Sequence, residues 1–192
     1  GSALATTALL SVDVVLARHY LPPHQVGYYA AASLAGRAIL FAMGFLPGVV
    51  IPKASALHAR GEHAGGVLAR ALALTGAASL AALLVVAVVP TLIVRIVAGS
   101  QYLPAAHYVL PYALAMVFLA GTSALTSYRT SLHRFQYVVP LLGVVLAEIV
   151  AMVLWHPSVG AFLTILIAAN AAAFVVTWLG ANSDRRHGLF VK

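Results

Sequence analysis

Four polar side chains stand inside long apolar runs of this chain: Asp13, Arg37, Glu148 and Asn170. An ionised group held at the centre of a bilayer is disfavoured by on the order of 2.5 to 3.5 kcal/mol on insertion scales, so it faces a partner or a watery cavity. The chemistry open to such a set is recognition of charge. Arginine carries a planar fork of donors that matches a carboxylate or a phosphate in the same geometry. Arg37 can therefore lock onto Asp13 or Glu148 and glue helices together, or meet an anionic substrate while the carboxylates orient it, compete for it, or take up a proton or cation. Both uses fit one device, a switch in which a phosphate replaces an internal carboxylate.

Catalysis finds little support. The acidic residues are Asp13, Glu62, Glu148 and Asp184, and none stand close enough in sequence to suggest a Mg²⁺-binding cluster. The chain has no Gly-rich phosphate loop, nucleophile elbow or HExxH. His58 and His63 are five apart, a poor match to the i, i+4 spacing of helical zinc ligands, and no third ligand is near. With no cysteine, thiolate chemistry and disulfides are excluded. The expectation is a protein without enzymatic activity, metal or cofactor. A net charge of +7 would suit nucleic acid, but the basic residues sit in joints between apolar runs and form no solvated arm or amphipathic face.

The elements that must position these residues are membrane helices. Of 192 residues, 62% are hydrophobic and 8% charged, against roughly 25% charged in an average soluble domain. Six runs approach the length needed to cross a hydrocarbon core of about 30 Å: residues 3–20, 26–50, 67–89, 108–127, 138–155 and 159–179. Lys53, Arg60, Arg70, Arg129, Arg134, Arg185, Arg186 and Lys192 fall on one side of such a bundle, and Arg18 and Arg95 on the other. The positive-inside rule then puts both termini in the cytoplasm. The chain opens on Gly1-Ser2 where a whole protein would open on Met, which suggests an excised region.

Depth follows from helical rise. Asp13 lies seven residues before Tyr20, about 10 Å in, and Arg37 about 16 Å beyond Val26. Glu148 lies as far from Trp155 as Asp13 does from Tyr20, and Asn170 is near the middle of the last run. Tyr20, Tyr28 and Tyr29 read as an interfacial girdle around the Pro22-Pro23 turn. Ala30, Ser33, Arg37 and Gly44 recur at helical spacing, giving the arginine a face of small residues. Pro47 should kink that helix. Thr91 to Ala98 either continues a kinked helix or lies along the outer interface. The rows Thr122, Thr126, Thr130 and Ser123, Ser127, Ser131 suit carbonyl bonds and helix packing, or a polar ligand such as a sugar. Asp184-Arg185-Arg186-His187 reads as a topology signal that could also hold anionic headgroups of membrane lipids weakly.

The pattern VDVVLARHYLPPHQVGYYAAASLAGRAILF followed by PGVVIPKASALHARGE resembles the second half of bacterial oligosaccharide flippases of the multidrug/oligosaccharidyl-lipid/polysaccharide exporter superfamily. The run Gly99-Ser100-Gln101-Tyr102-Leu103-Pro104-Ala105-Ala106, then YALAMVFLAGTSALTSYRTSLHR, is similar to the region after that superfamily's ninth helix. Ser11 stands where relatives often have Asn, and the last two spans match in length and hydropathy alone. The resemblance implies an all-α, polytopic lobe of six transmembrane helices in the cytoplasmic (inner) membrane, packing against a missing N-terminal six-helix lobe around a cavity open alternately to each side. It also implies a polyprenyl-pyrophosphate-linked oligosaccharide as substrate, with Arg37 meeting the pyrophosphate and Asp13, Glu148 and Asn170 completing the binding set. A drug or ion exporter of the same superfamily would share this fold. A non-transporting membrane scaffold would instead show a dry interior with every charge paired.

Overall fold

A computed structural model describes residues 2–43, 65–131, 133, 135–155 and 158–187 of the chain. Apolar runs with few backbone breakers leave the chain one way to satisfy its amides without water, which is intrahelical bonding. The helices are α1 (Ser2–Tyr20), α2 (Pro23–Met43), α3 (Gly65–Val88), α4 (Pro90–Val97), a 3₁₀ turn (Ser100–Ala105), α5 (Ala106–Ser131), α6 (Val138–Leu154) and α7 (Val159–His187). No strand occurs among the described residues. Proline sets two of the starts: Pro23 and Pro90 each open a helix at a position where a missing N–H leaves nothing unsatisfied. Gly44, Pro47 and the joint with His58 and His63 lie outside the described residues.

Each of the six expected spans overlaps a helix, residues 44–50 of the second lying outside the described residues. Among the described residues fewer helices meet the requirements of a crossing: Ser100–Thr130 and Val159–Gly180 are long and apolar enough, and Leu72–Val88 with Pro90–Val97 makes a third if that bent pair is one span. The physical reasons are specific. Helix α6 has 17 residues, about 26 Å of rise against a core of about 30 Å. Helix α1 is diluted by Thr6, Thr7, Ser11, Asp13, Arg18 and His19, and α2 by His24, Gln25, Ser33 and Arg37. Helix α4 does not continue α3 in line: the chain turns by 92° at the break before Pro90, where Val89 has φ −130° and ψ 46°. Such a turn suits a segment lying across the bundle end.

Helix α5 is the centre of the packing. It makes the most extensive pairing, with α7, and also packs on α2 and α3, while α6 packs on α1 and α7. The α5–α7 seam is close because Gly121 carries no side chain: a Cβ there would lie 2.6 Å from the Phe174 ring. One apolar cluster joins α1, α2, α5, α6 and α7 through Leu9, Tyr29, Tyr112, Met116, Leu141 and Phe162. A second joins α2, α3, α4 and α5 through small residues, among them Ala31, Ala35 and Ala113 with Val86, Val94 and Val109.

The hydroxyl row of α5 is used in packing. Thr122 donates to the Phe118 carbonyl at 2.9 Å, Thr126 to the Ser123 carbonyl at 3.0 Å, and Thr130 meets the Tyr137 hydroxyl at 2.8 Å. Arg129, placed in a cytoplasmic joint by its charge, is buried within α5, its guanidinium 4.7 Å from the centre of the Tyr137 ring. That is cation–π geometry.

Candidate functional site

Asp13 is fully buried, and every hydrogen bond to its carboxylate is accounted for. Oδ1 accepts from Arg37 Nη2 at 3.0 Å; Oδ2 accepts from the Tyr29 hydroxyl at 2.9 Å and the Tyr112 hydroxyl at 2.7 Å. Two helices, α2 and α5, supply the donors to a carboxylate carried by α1. Helices α1 and α2 run as a hairpin joined at Leu21 and Pro22, which brings Asp13 opposite Tyr29 and Arg37, and α5 adds Tyr112. Charge-assisted bonds of this kind are roughly twice as strong as neutral ones, and they tie α1 to both neighbours.

The proton inventory of the cluster is determinate. Tyr112 gives its one O–H to Asp13, so it serves Arg37 as acceptor, taking the Nε–H at 3.0 Å. Both Nη2 hydrogens are committed, one to Asp13 and one to the Leu10 carbonyl. Nη1 makes no hydrogen bond among the described residues. The Arg37 side chain is 20% exposed while that of Asp13 is 0%. Among the described residues the guanidinium is thus held through Nε and Nη2, with Nη1 unbonded, in a side chain that is partly exposed.

Gly36 makes this arrangement possible. A Cβ at that position would sit 2.5 Å from Tyr112 Cδ1, so only glycine lets the ring lie flat enough against α2 for its hydroxyl to reach both Asp13 and Arg37. Tyr29 also packs against the ring. It meets Tyr112 edge-on at 5.8 Å between ring centres and Phe162 of α7 at 6.0 Å. The small-residue face expected around Arg37 is different in composition: Ser33 is buried, but Ala30 is exposed, and Tyr29 takes its place.

Glu148 and Asn170 do not join the cluster. Glu148 lies in the buried stripe Leu141, Val145, Glu148, Met152 of α6, and neither carboxyl oxygen has a hydrogen-bond partner among the described residues. The expected pairing of Arg37 with Glu148 is therefore not made, and Asp13 is the partner. Asn170, also fully buried, donates from Nδ2 to the Leu166 carbonyl of its own helix at 2.9 Å, and its Oδ1 has no partner among the described residues. A carboxyl group that forms no bond contributes no attraction to offset its desolvation. Glu148→Met is accordingly expected to hold or raise the thermal midpoint in detergent; a drop of several degrees would reveal a bond that the stripe does not show.

An apolar groove lies away from this cluster. A groove of about 440 Å³ between α3 and α5 is lined by Leu83, Leu84, Ala87, Leu110, Pro111 and Leu114, with Ile167 of α7. No charged group reaches it. Among the described residues, Arg37 is partly exposed beside the exposed residues Ala30, Leu34 and Ala38. Among the described residues there is no group of three His, Cys, Asp or Glu that could hold a metal ion.

Tyr29 and Tyr112 are the members of the cluster that sequence reasoning missed. Tyr29 carried a usable signal, since with Ser33 and Arg37 it repeats at i, i+4, i+8 on one helical face; Tyr112, 75 residues from Arg37 in the chain, carried none. No family model, curated protein or solved structure matches the chain.

Proposed function

We propose that the chain is the six-helix membrane lobe of an alternating-access transporter for polyprenyl-pyrophosphate-linked oligosaccharide, working with a second lobe that faces Arg37. The carrying observation is the guanidinium itself, with Nη1 uncommitted, a side chain 20% exposed, and a buried carboxylate holding Nη2. A cationic amino group with two free N–H donors at the surface of a membrane bundle suits an oxyanion through charge-assisted bonds. Asp13 lowers the field at that edge enough to allow release, since a fully uncompensated arginine would hold a pyrophosphate too tightly for turnover. On this reading all six expected spans cross, with tilt, thinning of the bilayer or contact with the second lobe accommodating the short α6 and the polar α1 and α2. Both termini lie in the cytoplasm of a bacterial inner membrane.

The scaffold reading, in which every interior charge is paired, has against it the unbonded Glu148 carboxyl and the open Nη1 edge. Deleting the gene separates the transporter readings. Loss of a surface polysaccharide is expected; intact polysaccharide with new sensitivity to cationic compounds would overturn the assignment in favour of a drug exporter.

A further inference from the structure

We infer that Tyr112 is a positioning residue for oxyanion capture, aiming the Arg37 guanidinium so that its Nη1 edge takes a phosphate while Nη2 stays on Asp13. The inference rests on the proposed role of Arg37 and specifies how the anion is held: it adds to the cluster and does not displace the carboxylate. Three observations carry it. Tyr112 is fully buried, and its hydroxyl bridges, accepting from Arg37 Nε at 3.0 Å and donating to Asp13 Oδ2 at 2.7 Å. With Nε fixed by Tyr112 and Nη2 fixed by Asp13 and Leu10, the plane of the guanidinium has no rotational freedom left. Its remaining donors are the two N–H groups of Nη1, which diverge by about 120° and so offer phosphate oxygens separate charge-assisted bonds in a fixed direction.

Tyr29 provides the internal comparison. Its hydroxyl donates to the same Asp13 oxygen at 2.9 Å, and its ring packs against that of Tyr112, yet it makes no bond to Arg37. Tyr29→Phe and Tyr112→Phe each remove one donor from Asp13 and retain the ring. They differ in that Tyr112→Phe alone releases the Nε–H. A purely structural pair of tyrosines would respond alike.

The test is calorimetric titration of the purified chain in lipid nanodiscs with farnesyl pyrophosphate, with farnesol as the uncharged control. Tyr112→Phe is expected to weaken farnesyl pyrophosphate binding by about tenfold or more, the range for a lost bond to a charged group, and Tyr29→Phe by less than about threefold. A second readout is independent of affinity. Hydrogen exchange at Arg37 Nε, followed by ¹⁵N NMR, should accelerate in Tyr112→Phe and not in Tyr29→Phe. Equal effects of the two variants on binding and on exchange would overturn the positioning role. Binding that survives Arg37→Lys unchanged, or that farnesol matches, would overturn the underlying anion reading instead.

Discussion

Arg37→Lys is expected to lower the affinity for a pyrophosphate lipid by on the order of 100-fold while leaving the helix packing in place. Lysine keeps one positive charge within reach of Asp13, so the buried carboxylate retains a cation beside its two tyrosine donors. What lysine lacks is the second nitrogen. It has no Nε–H for the Tyr112 hydroxyl, and its single ammonium cannot replace both the Nη2 bonds to Asp13 and Leu10 and a separately aimed Nη1; each charge-assisted bond lost contributes roughly 1.5 to 3 kcal/mol. The variant separates charge from geometry. A thermal midpoint close to the parent's, with binding lost, assigns the function to the guanidinium edge. Parent-like binding would reduce Arg37 to a simple counter-ion.

Asp13→Ala should show the opposite balance, a loss of stability larger than that of any other single substitution in the cluster. Removing the carboxylate leaves the Tyr29 and Tyr112 hydroxyls without their acceptor and Arg37 without its ion pair, all within the interface of α1, α2 and α5. Breaking a buried pair by deleting one partner is destabilising by about 3 to 5 kcal/mol, because the surviving charge remains desolvated and unmatched. Arg37 is 20% exposed and can recover some hydration, so the lower end of that range is expected. Chemical denaturation in mixed micelles measures it. A change below about 1 kcal/mol would mean that the three helices hold together without the cluster.

Much of this arrangement was readable from composition and helical depth, and the remainder was not, for a physical reason. Asp13 and Arg37 share a depth because the Pro22-Pro23 turn folds α1 onto α2, so a local hairpin made their pairing foreseeable. Glu148 shares that depth but comes from α6, and rise per residue places a side chain along the membrane normal without saying where it lies around the bundle. The structure gives that position to Tyr112 of α5, through a ring admitted by Gly36. Tyr29 was read with Tyr28 as an interfacial aromatic; it is buried in the cluster, while Tyr28 is only half-buried. Helix ends ran long for a related reason. Helix α5 reaches Ser131 and α7 reaches His187, past the limits of residues 127 and 179, because hydropathy marks where apolar chemistry stops and backbone hydrogen bonding continues into the polar turns.

The open edge of Arg37 can be observed directly. With the chain ¹⁵N-labelled at arginine in nanodiscs and saturated with farnesyl pyrophosphate, solid-state NMR measures the dipolar coupling between ³¹P and each guanidinium nitrogen, with Arg37→Lys assigning the signal. A phosphorus within contact distance of Arg37 Nη1, with the Arg37–Asp13 pair still formed, is the expected result. Coupling to other arginines and none to Arg37 would contradict it.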